Sequence, residues 1–447
     1  LVSGFGWYWW LRSMKNEATD LAVLALRDAP TAKQAIKARG NETRDSETRA
    51  SEARGDRDLT WLERLATAYG MAGMLTMDSP RPVETVAWLR EAGELARWLV
   101  RRPGSAGAGP APLAPDDPIG VHAVAALAGP LRVMVESPMR LEPDLMDEAV
   151  ADPYPWISAL GRVLRGQLSL NQGRLIDQAE ADFRAAVATF ESLGERWGLA
   201  MALTGLAQLE EWRDERAAAT HYEQAADLAG ELGTTEDEAQ ARLWLARLLW
   251  HLGGADRDRC RVELARALRD ADRLGWPEVT AYANYVAGNL ARLDGDLATA
   301  RERLDLAACV AKAQGSKFFG QISAVTFTAM SYLDAAEGDL DAARSWHDEA
   351  LDAALSTGDS PVVAQVLTGM ADVALRGGDA LRAATLLGAA DGVRGTRNRS
   401  DDDGIRVAAA ARALLSPAHY SAAFQRGQEV TLATLEAALD GFLTPGA

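Results

Sequence analysis

The 447-residue chain carries 64 acidic against 47 basic side chains, a formal charge of −17. That balance excludes direct nucleic-acid binding, which rests on Lys and Arg neutralising phosphates. Apolar residues make up 48%, heavily alanine, with 6% aromatics and almost no β-branched runs, which predicts an all-α protein, either several ordinary domains or one long repeat array.

Residues 6–26 predict a helical hairpin, Trp7-Tyr8-Trp9-Trp10-Leu11 first and residues 17–27 second, ended by Pro30. Four large aromatics in one short helix need a packing surface. We expect a buried end repeat rather than an aromatic ligand box, with an upstream domain as its partner. The chain opens at Leu1 without the ordered segments of a leader and is expected to be a piece of a longer polypeptide. Residues 31–58 are charged and poor in large apolar side chains, so burial cannot offset their ordering entropy; a mobile insertion or solvated helix extension is expected. Residues 59–77 and 83–100 predict two helices, broken at Ser79-Pro80-Arg81-Pro82. The Gly, Ala and Pro of 103–118 predict a flexible linker. Its Gly104, Gly107 and Gly109 lack the strand and helix of a dinucleotide fingerprint. Residues 119–135 and 143–150 continue the helical pattern up to Pro153-Tyr154-Pro155. The expected divisions are therefore N-terminal hairpins over 1–102, the linker 103–118 and connecting helices over 119–155.

From 156 to 394 one helical hairpin is written six times. Ala179, Ala218, Cys260, Ala300, Ala343 and Ala383 recur at steps of 39, 42, 40, 43 and 40 residues. Four positions after each anchor stands Phe183, Tyr222, Leu264, Leu304, His347 or Leu387, and seven after it Ala186, Ala225, Ala267, Ala307, Ala350 or Ala390. Gly295-Asp296, Gly338-Asp339 and Gly378-Asp379 open second helices; Gly194, Gly233, Gly275, Gly315 and Gly358 close them. Such a period marks a solenoid, since one hairpin cannot bury its apolar face alone. Residues 395–447 change pattern: a polar loop over 395–404, then helices over 405–415, 417–426 and 432–442. They suit a cap that hides the apolar edge of the last copy.

No Walker-type loop, H-E-x-x-H, C-x-x-C or G-x-S-x-G elbow occurs, and the five histidines (122, 221, 251, 347, 419) are scattered. We expect no enzyme, no metal and no cofactor in this chain. His347 stands where sibling copies are apolar, so a packed histidine is expected. Asp401-Asp402-Asp403 is expected as a solvated loop tip. Cys260 and Cys309 are expected as reduced core thiols, which fits a cytoplasmic setting, and no run approaches the roughly 18–20 apolar residues of a membrane helix.

The six copies resemble the tetratricopeptide repeat. Ala287-Gly288 stands at the large-small pair of that family's first helix, with Leu245-Ala246 and Met370-Ala371 equivalent, and Ala300, Leu304 and Ala307 match the trio of its second. The copies exceed the usual length of about 34 residues and lack the closing proline. The resemblance implies a right-handed α-solenoid of hairpins with a C-terminal helical cap. It also implies a concave groove lined by the first helices: Gln240, Leu243, Arg247 and Trp250; Tyr282, Tyr285, Asn289 and Arg292; Val325, Thr328 and Tyr332; Gln365, Thr368 and Asp372. Two arginines among tyrosines and amides suit a carboxylate-bearing peptide or metabolite. Equally, the tyrosines fill gaps between hairpins while the arginines pair with local acids.

Two further stretches narrow the family. Trp7 to Arg12 followed by Glu17 is similar to the segment after the nucleotide-binding module of large actinobacterial regulators. Leu386-Leu387-Gly388-Ala389-Ala390, Val393-Arg394-Gly395, Arg406-Val407, Ala411 to Leu414, Tyr420, Phe424 and Arg426-Gly427 resemble the C-terminus of AfsR-like Streptomyces antibiotic regulatory proteins. That resemblance implies a sensor arm for protein, peptide or small effector. It would act on upstream NTPase and DNA-binding domains of the same polypeptide, with an NTP bound only there, by a slight change of solenoid curvature. The other reading is a stand-alone scaffold that gathers client proteins.

Overall fold

The computed structural model describes residues 15–42, 50–76, 82–100, 120–136, 142–211, 213–314, 316–395 and 401–443. Among these, every regular element is a helix and none is a strand. The aromatic run Trp7 to Leu11, the 103–118 stretch and Gly315 lie outside the described residues. Two compact units form, one of residues 1–165, 185–199 and 231–234, the other of 166–184, 200–230 and 235–447.

The first unit contains α1 (Lys15–Leu26), α2 (Ala32–Glu42), α3 (Ala50–Leu75), α4 (Pro82–Val100), α5 (Gly120–Glu136) and, after a 3₁₀ turn, α6 (Asp147–Val150). The start of the charged stretch departs from expectation. It forms α2, whose Ala32 and Ala35 are buried and whose Ala32 N–H donates to Glu91 Oε2 at 2.6 Å. Small side chains here compensate for the missing large ones by letting the backbone come close. Thr19 Oγ1 ties α1 to the Leu75 carbonyl at 3.1 Å, and Tyr69 Oη reaches the Pro30 carbonyl at 3.0 Å.

Six hairpins follow: α7 (Pro155–Asn171) with α8 (Ile176–Leu193), α9 (Arg196–Glu210) with α10 (Glu215–Leu232), and α11 (Thr235–Leu252) with α12 (Asp256–Leu274). Then come α13 (Pro277–Leu293) with α14 (Leu297–Gln314), α15 (Ser316–Glu337) with α16 (Leu340–Thr357), and α17 (Ser360–Arg376) with α18 (Ala380–Arg394). The glycine-acid pairs explain the turns. Gly338 and Gly378 take left-handed backbone (φ 93° and 89°), and the following Asp339 and Asp379 accept the N–H of Ala342 and Arg382 as helix N-caps. Gly275 and Gly358 end their helices in the left-handed conformation.

All six anchor residues are buried, as are their partners seven positions on. What the anchor pattern achieves is visible at Phe183. Its ring is wholly buried between Gly166 of the same hairpin and Gly205 of the next, and a Cβ on either glycine would collide with it. Within the second unit one hydrophobic core runs from Ala207 to Leu439. The turn of the first hairpin also meets the end of the last: a Cβ on Gly173 would strike the Arg394 carbonyl, and Ser360 Oγ donates to the Gln172 carbonyl at 3.3 Å.

The C-terminal helices are α19 (Asp402–Leu414), α20 (Pro417–Gln428) and α21 (Leu435–Leu443). α20 lies backbone-to-backbone on α18, because Gly388 faces the Phe424 carbonyl and Gly427 the Thr385 carbonyl with no room for a side chain. Cys260 is buried, with its thiol pushed up to about 11 mainly by burial, whereas Cys309 is exposed. Cys309 is therefore not the core thiol expected of it: its position on α14 turns away from the packed anchor face.

Candidate ligand-binding face

On α13, helical spacing brings Tyr285, Asn289 and Arg292 to one face. The structure joins that face to α15, α17 and α19. Arg292 donates through Nη1 and Nη2 to Asp403 Oδ1 and Oδ2 at 3.2 and 2.5 Å, and through Nε to Asn289 Oδ1 at 3.0 Å. Its guanidinium carbon lies 4.6 Å from the centroid of the Tyr332 ring, which is buried on α15. Gln365 on α17 donates to Tyr285 Oη at 3.2 Å. Asp372, wholly buried on α17, accepts from Arg376 at 2.8 Å and from Arg406 at 2.7 Å, and Arg406 returns to Asp403 at 2.9 Å. The result is a continuous chain of charges, Arg292–Asp403–Arg406–Asp372–Arg376, floored by an aromatic ring.

Of the other expected groove residues, some form a second cluster and the rest are buried or half-buried among the helices. Arg247 Nη2 holds both oxygens of Glu211 at 2.6 and 2.7 Å, and Tyr222 Oη donates to the same carboxylate at 2.6 Å. Trp250 donates Nε1 to Asp294 at 3.1 Å and carries Arg257 4.5 Å above its ring. Tyr282 packs against Tyr285 with ring centroids 5.8 Å apart. Leu243, Val325, Thr328 and Thr368 are buried, and both threonines return their hydroxyls to their own helix at Ala324 and Ala364. Gln240 is half-buried.

Asp401, Asp402 and Asp403 are not a solvated loop tip. Asp401 caps α19 by accepting the Gly404 N–H at 3.0 Å, Asp402 faces His251 Nδ1 at 3.3 Å, and Asp403 is buried against Arg292. Burial alone would raise the Asp403 carboxyl, but the adjoining Arg292 and Arg406 hold it below the usual range. The acids sit here because a helix N-terminus favours carboxylates and because Arg292 presents a matching fork. The sequence signal was an acid triplet three residues ahead of Arg406 at a helix start. What it lacked was any hint of Arg292, 111 residues earlier.

His347 is buried as expected, sharing Ser331 Oγ through Nδ1 at 2.8 Å and facing Gly369, where a Cβ would collide with Nε2. Among the described residues no His/Cys/Asp/Glu group has a metal-binding arrangement, and no helix is long and apolar enough to cross a membrane.

No family model matches the chain, and neither does any curated protein. Among solved structures, the crystal structure of a Rap protein complexed with competence and sporulation factor is similar over 84% of this chain and 99% of that one, with a TM-score of 0.59 at 14% identity. At that identity the likeness establishes the helical-repeat fold. A circular tandem repeat protein with novel repeat topology aligns over 96% and 98% at 15% identity, with a TM-score of 0.17 that carries no argument.

Proposed function

We propose that this chain is a binding module whose face on α11, α13, α15 and α17 takes a protein or peptide partner and performs no covalent chemistry. The convergence of Arg292, Asn289, Tyr285, Gln365 and Tyr332 from three separate first helices carries the reading. Guanidinium forks, amides and stiff aromatic rings are the groups that recognise extended chains. The Rap protein, of similar fold, is complexed with competence and sporulation factor, which supports a fold able to seat a partner.

In its finer form, the module is the sensor region of a bacterial transcriptional regulator, biasing upstream NTPase and DNA-binding domains of the same polypeptide. Its support is the resemblance of residues 7–12 and 386–427 to such regulators. A coupling of about 1–3 kcal/mol between face and upstream domains is enough. The coding sequence ahead of Leu1 separates this from a stand-alone scaffold, since a Walker-type loop there favours the regulator.

Selection of a displayed random-peptide library on the full chain tests the binding face. Selected peptides are expected to lose about 30-fold or more in affinity on Arg292→Met or Tyr285→Ala, as at a central contact. A library that yields no binder, or binders indifferent to both substitutions, refutes the reading.

A further inference from the structure

Arg292 is organised from its own side of the face. Asn289 fixes Nε from one turn earlier on α13, and the Tyr332 ring supports the guanidinium plane from α15. The fork is thus aimed before anything docks on it, and what docks on it is a carboxylate brought from 111 residues away on the cap. We infer that Asp403 holds, in the unliganded chain, the place of a carboxylate of the partner. The face accordingly selects an acidic peptide, and α19 is the built-in competitor that such a peptide displaces. This rests on the binding reading above.

Three observations support displacement of α19 rather than a fixed structural cap. First, α19 is anchored lightly: Val407 and Ala411 are buried, but Ile405 and Leu414 are 55% and 67% exposed. Its neighbour α20, by contrast, is locked to α18 through Gly388 and Gly427. α19 has a way to leave that α20 does not. Second, the rim of the contact that α19 makes with the face is ionic and partly wet, since the Arg406 side chain is 45% exposed and that of Asp402 43%, while the central Arg292–Asp403 pair is 9% and 12% exposed. Charge pairs of that kind exchange readily for an equivalent pair from a ligand, because the desolvation and the geometry are already in place on the Arg292 side. Third, two successive acids are read separately, Asp402 by His251 and Asp403 by Arg292. An incoming peptide with adjacent or near-adjacent acids meets both positions.

An intramolecular competitor weakens a ligand by the fraction of molecules in which the seat is open. If that fraction lies in the usual minor-state range of about 0.1–10%, removing the competitor tightens binding by about tenfold or more. The probe is a fluorescent peptide of the chain's own residues 401–414, followed by anisotropy on the full chain. Asp403→Asn removes the competing charge with little change of shape. Val407→Ala loosens α19 while leaving Asp403, Arg292 and Tyr332 chemically intact, and it decides the matter alone if Asp403→Asn does not fold. Both variants are expected to bind the probe about tenfold or more tightly than the parent. Arg292→Met added to either is expected to abolish the gain, as is asparagine in place of the probe's third aspartate. Unchanged affinity in the variants, or a gain that survives Arg292→Met, overturns the inference. It fails alone, with the binding face intact, if library-selected peptides depend on Arg292 yet bind parent and Asp403→Asn equally well.

Discussion

Gly205→Ala should act with opposite sign in two backgrounds, and the reason is Phe183. Its ring is fully buried, and a Cβ at residue 205 would overlap Cε1 and Cζ of that ring, well inside the roughly 3.5–4 Å of ordinary carbon contact. The ring has nowhere to retreat, since Gly166 closes its other side. Overpacking of this kind costs about 1–3 kcal/mol, against a gain of about 1 kcal/mol from replacing a mid-helix glycine. The net expectation is a destabilisation of up to about 2 kcal/mol, the difference of those two figures. Phe183→Ala by itself should cost about 3–5 kcal/mol, the transfer of the ring plus the cavity left behind. In that background the clash is gone, and Gly205→Ala should stabilise by up to about 1 kcal/mol. The coupling between the sites is then about 1–3 kcal/mol, the overpacking cost itself. Thermal midpoints of the four proteins, followed by circular dichroism, give the sign directly. A midpoint lowered by Gly205→Ala in both backgrounds would show that the two hairpins do not interlock through this ring.

Acid and base should pull the stability in opposite directions at two buried groups. His347 is pushed down to about 4 by burial from 6.5, so the unfolded chain binds the proton first and stability is lost as pH falls from about 6.5 to 4, by about 3 kcal/mol in all. His347→Leu should flatten that slope in urea midpoints, and an unchanged slope refutes the assignment. Asp359 is pushed up to about 6 by burial from 3.8, so the folded chain binds the proton first and stability is lost as pH rises from about 4 to 6. Asp359→Asn should therefore raise the midpoint more at pH 8 than at pH 4. Gly427→Ala drives a Cβ into the Thr385 carbonyl, which cannot rotate away, and should destabilise by about 3 kcal/mol or more. Faster tryptic cleavage at Arg412 and Arg426 reads it out. In the native chain a thiol reagent should modify exposed Cys309 rapidly and buried Cys260 only on unfolding.

The hairpins were legible because their determinants are local and repeated. A small residue every 39 to 43 positions, a larger side chain four later and, in the last three copies, a Gly-Asp at the turn each state a physical need of the helix that carries them. The shared side of α13 was legible to a similar degree, since spacing alone puts Tyr285, Asn289 and Arg292 together. The fate of that side was not. Whether Arg292 meets solvent, a ligand or Asp403 depends on where a helix beyond the repeats returns in space, and no local pattern encodes a contact 111 residues long. The acid triplet misled for the same reason: three aspartates in a polar stretch read as solvated until the partner is known. At α2 the lack of large apolar residues conceals the docking, because Ala32 and Ala35 pack by being small.

Hydrogen exchange on the full chain, with and without a library-selected peptide, reaches the central claim most directly. Slower exchange in α13, α15 and α17 together with faster exchange in α19 is the predicted result. Slowing confined to the second helices α12, α14 and α16, with α19 unchanged, would contradict it.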